Sequence, residues 1–361
     1  MSMFMSATLS SPGIPPAEMP KYTHAPGQQY LLLGPDGIRT EINAGFADLE
    51  NSRPVGPATV FNGYSITKTF TAIAVLQLAE QGKIALPDTV GNYLPEYRFS
   101  RPFTVEQLLT HRAGLANPLP LSWIHLAAED PDFDAAAFSH RIIAAHARLK
   151  YRPGTKTRYS NIGFLVLGEL IARVSGLRYE DYIRQHIFEK LPAGGYLGFA
   201  APSTADVATG YHPRRSFSNL LLGFLLDKKR YTRPATPEWL AFQPAYVDGR
   251  AYGGVVANAR GLAAYLQAVL NGDLFENPAT TGRLFARIDP GLGMGWFTGR
   301  LGGRTYFCHA GGGGGFYAEI RVYPEIKTTS VLLTNRSGFS DERLLDRLDK
   351  ANGSDLFETV L

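Results

Sequence analysis

An α+β fold, a sheet domain with a mostly helical lobe inserted into it, is predicted for this 361-residue chain by three observations. Strand patterns open the chain, helical patterns joined by Gly- and Pro-rich turns fill its middle, and strand patterns with one closing helix return at its end. No internal repeat offers another organisation.

Residues 1–27 hold several Pro and Gly without periodicity and read as an extended arm. Residues 29–33 and 38–46, joined by Gly34-Pro-Asp-Gly37, read as a β-hairpin, and a short edge strand is expected near 59–61. Residues 62–82 form the helix on which the rest is organised. Asn62 and Ser65 are cap-type residues, 70–78 is an apolar run, and Gly82 suits the position just past the last turn.

Residues 86–90 read as a turn into a short helix, and Thr104 with Gln107 three residues on is a capping-box pattern. Amphipathic helices are predicted over 133–149 and 161–175, the second stopped by Gly176, and a shorter one over 178–188. Residues 200–250 are irregular. They contain the run 220–226, Leu-Leu-Leu-Gly-Phe-Leu-Leu, between Arg214-Arg215 and Lys228-Lys229-Arg230. An ordinary packed helix with solvated ends is the preferred reading of that run; a flap over a pocket, or a surface touching membrane or an acyl chain, is the alternative. After Gly253-Gly254 a helix is expected over 260–270, then strands at 295–298, 304–308, 316–323 and 328–334, then a helix over 340–351. Short turns between the last three strands predict an antiparallel meander. The domains are therefore an arm (1–27), a sheet domain (28–83 with 251–361) and a helical lobe with substrate-site loops (84–250).

A hydrophobic content of 45% with 19% charged residues is that of a globular protein with a large core. A net charge of +4 from scattered residues does not point to nucleic acid. One cysteine, Cys308, excludes an internal disulfide framework, and the eight histidines contain no H-E-x-x-H pair, so no metal site is expected. No stretch of about 20 apolar residues could span a membrane. The first residues lack a basic segment followed by an apolar one, so a cytoplasmic location is the default expectation, or a periplasmic one if a leader has been removed.

Three short patterns carry chemistry, and each occurs once. In Ser65-x-x-Lys68 the amine lies one turn from the hydroxyl on the same helix face and can take its proton if burial lowers its pKa. In Tyr159-Ser160-Asn161 a phenol can share a proton with a lysine, and an amide can orient a carbonyl. In His309-Ala310-Gly311, followed by Gly312 to Gly315, glycine permits close approach to a ligand and a free N–H can serve an oxyanion. Alone, each has an ordinary structural explanation: a capped helix with a solvated lysine, a turn capped by Asn161, a permissive hairpin. An α/β-hydrolase elbow is absent, because Gly63-Tyr-Ser65-Ile-Thr67 lacks the second glycine.

Taken together and in this order, the patterns resemble those of the serine β-lactamase and penicillin-binding-protein superfamily, in the branch of class C β-lactamases, D-alanyl-D-alanine carboxypeptidases and family VIII carboxylesterases. The resemblance extends over residues 40–335. It includes Leu108-Leu-Thr-His-Arg-Ala-Gly-Leu115, Pro153-Gly-Thr-Lys-Thr-Arg-Tyr-Ser-Asn-Ile-Gly163, Leu167-Gly168, Gly253-Gly254-Val255 and Gly295-Trp296. It implies a β-lactamase/transpeptidase-like fold, an antiparallel sheet flanked by helices with an inserted mostly helical lobe and the active site in the cleft between them. It implies that Ser65 attacks an ester or amide carbonyl and becomes acylated. Lys68 would be the base, or would hold Tyr159 in the state that is; which of the two remains open. Asn161 would hold Lys68 and contact the acyl part of the substrate, and the N–H groups of Ser65 and Gly312 would form the oxyanion hole. No metal or organic cofactor is implied.

Two departures from the family pattern bear on substrate choice. His309 stands where β-lactamases usually carry a lysine, so carboxylate recognition, with Gly311 beside it, should be weaker and sensitive to pH near 6.5. The run 311–315 is unusually rich in glycine and should make the turn beside the pocket adaptable. Candidate walls are apolar and aromatic: Trp123 near His125, then Leu222, Phe224, Tyr231 and Trp239. These features put a carboxylesterase or amidohydrolase acting on small acyl or aryl esters first. A D-alanyl-D-alanine carboxypeptidase or weak β-lactamase comes second, and an acyltransferase or a catalytically idle binding protein on the same scaffold follows. The expected partner is a small ester, amide or β-lactam, not a nucleic acid.

Overall fold

The computed structural model describes residues 15, 18–118, 123–201, 206–286, 292–337 and 343–357, the side chains of Pro20, Leu221, Phe224 and Leu225 excepted. The predicted hairpin is present as Gly27–Gly34 paired with Gly37–Asp48. The predicted meander is present as Phe297–Leu301, Arg304–Gly313, Phe316–Tyr323 and Thr328–Thr334. The hairpin docks antiparallel on the last meander strand, Leu31 opposite Val331, so the two ends of the chain build one seven-stranded sheet that Arg53–Pro54 closes at its far edge.

Alternation along the strands separates two cores. Leu31, Val331 and Leu333 face the main core with Leu262, Leu266 and Val269 of helix Ala259–Asn271. Tyr30, Leu32 and Leu332 face the opposite way onto Leu344, Leu345 and Leu348 of helix Leu344–Asn352. Residues 340–342 of the closing helix predicted over 340–351 lie outside the described residues.

The organising helix runs Thr67–Glu80, and every residue from Thr67 to Leu78 is buried. A helix buried on all sides is a central one. Phe70 stacks on Tyr265, ring centroids 4.0 Å apart, and the Tyr265 hydroxyl donates to Thr69 (2.9 Å). On the other side lies helix Asn161–Ser175 of the helical lobe. Gly82 takes the expected left-handed backbone (φ +67°). The expected caps do not form. Asn62 belongs to strand Phe61–Tyr64, and Ile66 occupies the cap position without a side-chain bond. Ser65 therefore sits one residue ahead of the cap, and its hydroxyl is left for other partners.

In the helical lobe the Thr104–Gln107 capping box forms at Val105–Leu109. Helix Asn161–Ser175 starts at Ser160, not at Asn161, because the Ser160 hydroxyl accepts from Gly163 N, and it stops at Gly176 (φ +73°). Residues 211–247 carry short strands that local sequence does not announce: Tyr211–Pro213, Thr232–Pro234 and Trp239–Phe242 pair with one another, and Ala245–Val247 pairs with Ile124–Leu126. The apolar run 220–226 falls in helix Phe217–Leu225 and the residue after it. Among the described residues no helix is long and apolar enough to cross a membrane.

Candidate active site

Strand Phe61–Tyr64 delivers the chain to the start of the central helix through a strained residue, Tyr64 at φ +46°. Thr67 holds that turn: its hydroxyl donates to Tyr64 O (2.6 Å) and accepts from Val255 N (2.9 Å). Ser65 follows. Lys68 Nζ is 3.1 Å from Ser65 Oγ and donates to the carbonyl of Tyr252 (2.8 Å). The Lys68 side chain is fully buried, with its amine near the rings of Tyr159, Tyr252 and Phe164. Burial pushes that amine well below the usual lysine range. A neutral amine beside a hydroxyl can receive its proton.

The Tyr252 carbonyl is a partner that sequence reasoning misses. Thr71 donates to Ala251 O (2.7 Å) and Thr67 accepts from Val255 N, so two threonines of the central helix fix the backbone on both sides of Tyr252. A backbone oxygen leaves no residue-type signature, although the neighbouring Gly253-Gly254 marks the place where the chain turns in close.

Tyr159 approaches from the helical lobe and is hydrogen-bonded to Ser65. Burial raises its pKa above the ordinary phenol value against the opposing effect of that bond, so the phenol keeps its proton. The Tyr159-Ser160-Asn161 segment is clamped by the loop after Leu109. Ser160 N donates to His111 Nδ1 (3.2 Å), Ser160 Oγ donates to Ala116 O (2.8 Å), and Asn161 N donates to Asn117 Oδ1 (3.0 Å). The His111 ring packs on Tyr159 at 4.5 Å. His111 and Asn117 are thus further site residues; the family-like block 108–115 was the available signal for His111, and Asn117 lies two residues beyond it.

Asn161 lines the pocket but does not hold Lys68, whose hydrogen bonds go to Ser65 and Tyr252 instead. Its buried Oδ1 has no hydrogen-bond partner, so it can accept from a substrate N–H or O–H.

On the opposite side lies the edge of strand Arg304–Gly313. Pairing with Phe297–Leu301 stops at Cys308, which leaves the stretch from 309 to 313 open toward Ser65. A Cβ on Gly311 would stand 2.0 Å from Gly63 O and 2.9 Å from Ser65 N, and one on Gly314 would stand 2.1 Å from the Tyr64 hydroxyl. Close packing of the strand on the nucleophile turn thus requires glycine at 311. Ser65 and Gly312 border the same space.

His309 departs from its expected role. Its side chain is 1% exposed, donates from Nδ1 to Ala310 O (2.8 Å), and packs between Phe297 and Tyr159. Burial, with Lys68 nearby, pushes the imidazole down to about 3, so it is neutral near pH 7 and not a switch at 6.5. It stands behind Tyr159 and outside the pocket lining.

The pocket itself measures about 230 Å³ and is lined by Ser65, Tyr159, Asn161, the 312–314 glycines and an apolar wall of Ile124, Leu222, Leu226, Phe242, Val247 and Tyr252. Tyr64, Ile124, Phe242 and Gly314 also border a second apolar cavity of about 290 Å³. Leu222 lines the pocket, and the run 220–226 lies in a helix whose Leu222 and Leu226 pack with Tyr231 and Phe242. The Phe224 side chain lies outside the described residues. Trp123 packs one layer back, against Tyr252, Phe138 and His146. Trp239 is removed from the pocket, against Tyr211 and Arg336, because its strand pairs with Tyr211–Pro213 and turns it outward from the cleft. Among the described residues no group of three His, Cys, Asp or Glu side chains is arranged to hold a metal.

The family model for β-lactamase matches residues 17–353. Penicillin-binding protein 4* of Bacillus subtilis (strain 168) is 25% identical over 312 residues, 81% of this chain and 64% of that protein. The putative penicillin-binding protein PbpX of the same organism is 27% identical over 261 residues, 72% of this chain and 59% of that one. The chain thus spans less than two thirds of the length of these curated relatives. Among solved structures, D-amino acid amidase from Ochrobactrum anthropi SV3 aligns with a TM-score of 0.77 at 20% identity, covering 94% of this chain and 98% of that one. The octameric penicillin-binding protein homologue from Pyrococcus abyssi aligns at 0.75 and 24%, covering 95% and 76%. A class C β-lactamase from Rhodobacter sphaeroides aligns at 0.68 and 20%, covering 94% and 97%. These structural likenesses concern the fold, which is the α+β architecture the sequence implied.

Proposed function

The chain belongs to the β-lactamase family, and we propose that it is a serine hydrolase that works through an acyl-enzyme on Ser65. The observation that carries this reading is the buried Lys68 amine 3.1 Å from Ser65 Oγ. Lys68 takes the Ser65 proton as Oγ bonds to the substrate carbonyl carbon, and the Ser65 and Gly312 N–H groups receive the oxyanion. Collapse breaks the bond to the leaving group, which takes a proton from Tyr159, and Tyr159 is reprotonated by Lys68. Water then repeats the cycle on the acyl-enzyme. The opposed pKa directions, Lys68 down and Tyr159 up, favour the lysine as the base in the free protein.

Substrate class follows from the lining. Among the described residues the pocket lining carries no charged side chain, and His309 supplies no cation. Such a site favours an uncharged ester with an apolar acyl or aryl group over a substrate that carries a free carboxylate. Asn161 Oδ1 without a partner favours one second reading, an amidase whose substrate offers an N–H.

The test is turnover of p-nitrophenyl esters of graded chain length, a primary amide, nitrocefin and a D-alanyl-D-alanine peptide, with Ser65→Ala alongside. Esters should be turned over fastest, and Ser65→Ala should lose at least ~1,000-fold of that rate. Unchanged turnover in Ser65→Ala sinks the mechanism, and preferential turnover of the peptide or of nitrocefin sinks the substrate class.

A further inference from the structure

Helix Phe217–Leu225 has two faces with different surroundings. Leu222, and Leu226 just past its end, are buried and line the Ser65 pocket. Phe217 and Leu220, one turn apart, are 75% and 62% exposed, the two most exposed large hydrophobic residues among those described. Water thus meets an apolar strip on the outer side of a helix whose inner side closes the candidate active site.

The strip has basic residues at both ends. Arg214 and Arg215 precede the helix, and Lys228, Lys229 and Arg230 follow it. Arg230 is paired with Glu129. Lys228 donates to the neutral carbonyl oxygens of Asn219, and Arg214 donates to Thr236 O. None of Arg214, Arg215, Lys228 and Lys229 has an acidic partner among the described residues, and Arg214, Arg215 and Lys228 border one open basin. Of the nearby acids, Asp227 accepts from the Lys229 and Arg230 amides and Glu238 is exposed.

From this juxtaposition we propose that the outer face of helix Phe217–Leu225 docks on an anionic lipid bilayer surface. Phe217 and Leu220 enter the boundary between headgroups and acyl chains, while Arg214, Arg215, Lys228 and Lys229 meet lipid phosphates. Exposed apolar side chains with flanking cations are the physical requirement of an interfacial helix, whose binding combines buried apolar area with attraction to anionic headgroups. Charge complementarity selects this occupant. A second copy of the chain would bring the unpaired cations at the ends of the strip against like charges. Docking goes beyond the hydrolase reading and does not depend on it, although it would set the pocket walled by Leu222 and Leu226 next to the lipid.

The experiment is co-sedimentation of the full chain with vesicles of pure phosphatidylcholine and with vesicles containing about 30% phosphatidylglycerol, at about 0.1 M salt. The wild-type chain should pellet with the anionic vesicles and be released at about 0.5 M salt. The double substitution Phe217→Ser with Leu220→Ser should reduce the bound fraction at least ~5-fold. The triple substitution Arg214→Gln, Arg215→Gln and Lys229→Gln should abolish the preference for anionic vesicles. All five positions are exposed, and an unchanged thermal melt shows that the variants fold. Ser65→Ala should bind as the wild type does, which separates docking from catalysis. A wild-type chain that stays in the supernatant overturns the proposal, as does a Phe217/Leu220 variant that pellets equally well. A lipid-free dimer that this variant dissolves, seen by sedimentation velocity, overturns it in favour of a second copy.

Discussion

Two clusters of ionisable side chains flank the pocket, and burial acts on them with opposite results. On the floor, Lys68, His111 and His309 are buried, and their hydrogen bonds go to hydroxyl, carbonyl or amide groups and never to a carboxylate. Burial holds Lys68 and His111 well below their usual ranges and takes His309 to about 3. On the wall, His125 is buried too, but its ring bridges Asp248 (2.8 Å) and Asp130 (3.0 Å), and Asp130 also pairs with Arg250. Burial opposes the charge on His125, yet the two carboxylates outweigh it and raise its pKa. The two carboxylates hold the proton on His125, whereas His111 and His309, more deeply buried and without a carboxylate beside them, are driven toward the neutral form. The dry floor yields a neutral base. The charged wall yields a fixed scaffold: Ile124 and Val247, which line the pocket, adjoin His125 and Asp248, and Arg250 begins the turn that carries the Tyr252 carbonyl to Lys68.

The sharpest way to break this comparison is Lys68→Met. Ester turnover should fall by at least ~1,000-fold, while stability should rise by about 0.5–2 kcal/mol because a buried amine is replaced by an apolar chain. Because burial lowers the lysine pKa, the unfolded chain binds a proton that the fold refuses, so wild-type stability climbs as pH rises through that window toward 10.5. Calorimetry at pH 7 and 10 should show this climb diminished in the variant; loss of stability at both values contradicts a strained, neutral lysine.

His309→Gln comes next. Between pH 6.5 and about 3 the unfolded chain takes up a proton that buried His309 does not, so wild-type stability falls as pH falls. The contribution between pH 6.5 and 4 is on the order of 3 kcal/mol at most. The variant should unfold at a lower pH in an acid titration followed by circular dichroism, and the pH–rate profile of the wild type should show no His309 inflection near 6.5. A histidine signal titrating near 6.5 by NMR that disappears in the variant would place His309 with the wall group instead.

Asp248→Asn probes the wall. With Asp130 still present, the loss should be roughly 2 kcal/mol in urea unfolding at pH 6. The sign with pH is reversed here: a raised His125 pKa contributes stability below its unfolded value that is lost as pH rises through the folded one. The wild-type advantage over the variant should therefore shrink toward pH 9, and an advantage that grows with pH would show that His125 is neutral. The smallest effect belongs to Trp239→Ala, which should leave KM for p-nitrophenyl esters within about 2-fold, because Trp239 lies outside the pocket. A larger change would return it to the wall.

Legibility followed the range of the interaction. The hairpin at Gly34-Pro-Asp-Gly37, the Thr104–Gln107 box, the Gly82 and Gly176 stops and the meander are written in neighbouring residues, and all are present. The central helix was legible as a helix but not in its cap, because pairing with Val256 draws Asn62 into a strand and the Thr67 hydroxyl binds Val255 N across the fold. Strand Ala245–Val247 escaped notice since its partner, Ile124–Leu126, lies far away in the chain, and the other short strands of 211–247, which pair with one another, are only three or four residues long and carry no clear alternation; with them the true positions of Trp239 and Trp123 were missed.

By itself the sequence determined the fold class and the residue types that could meet: a hydroxyl and an amine one helical turn apart, a phenol and an amide at a helix start, and a glycine-rich strand end. Helical spacing and chain order suffice for that. Only the tertiary structure decided the electrostatic state of those groups. Whether Lys68 is a base or His309 a cation depends on which distant segments exclude water and which bring a carboxylate, and these are contacts between residues far apart in the chain.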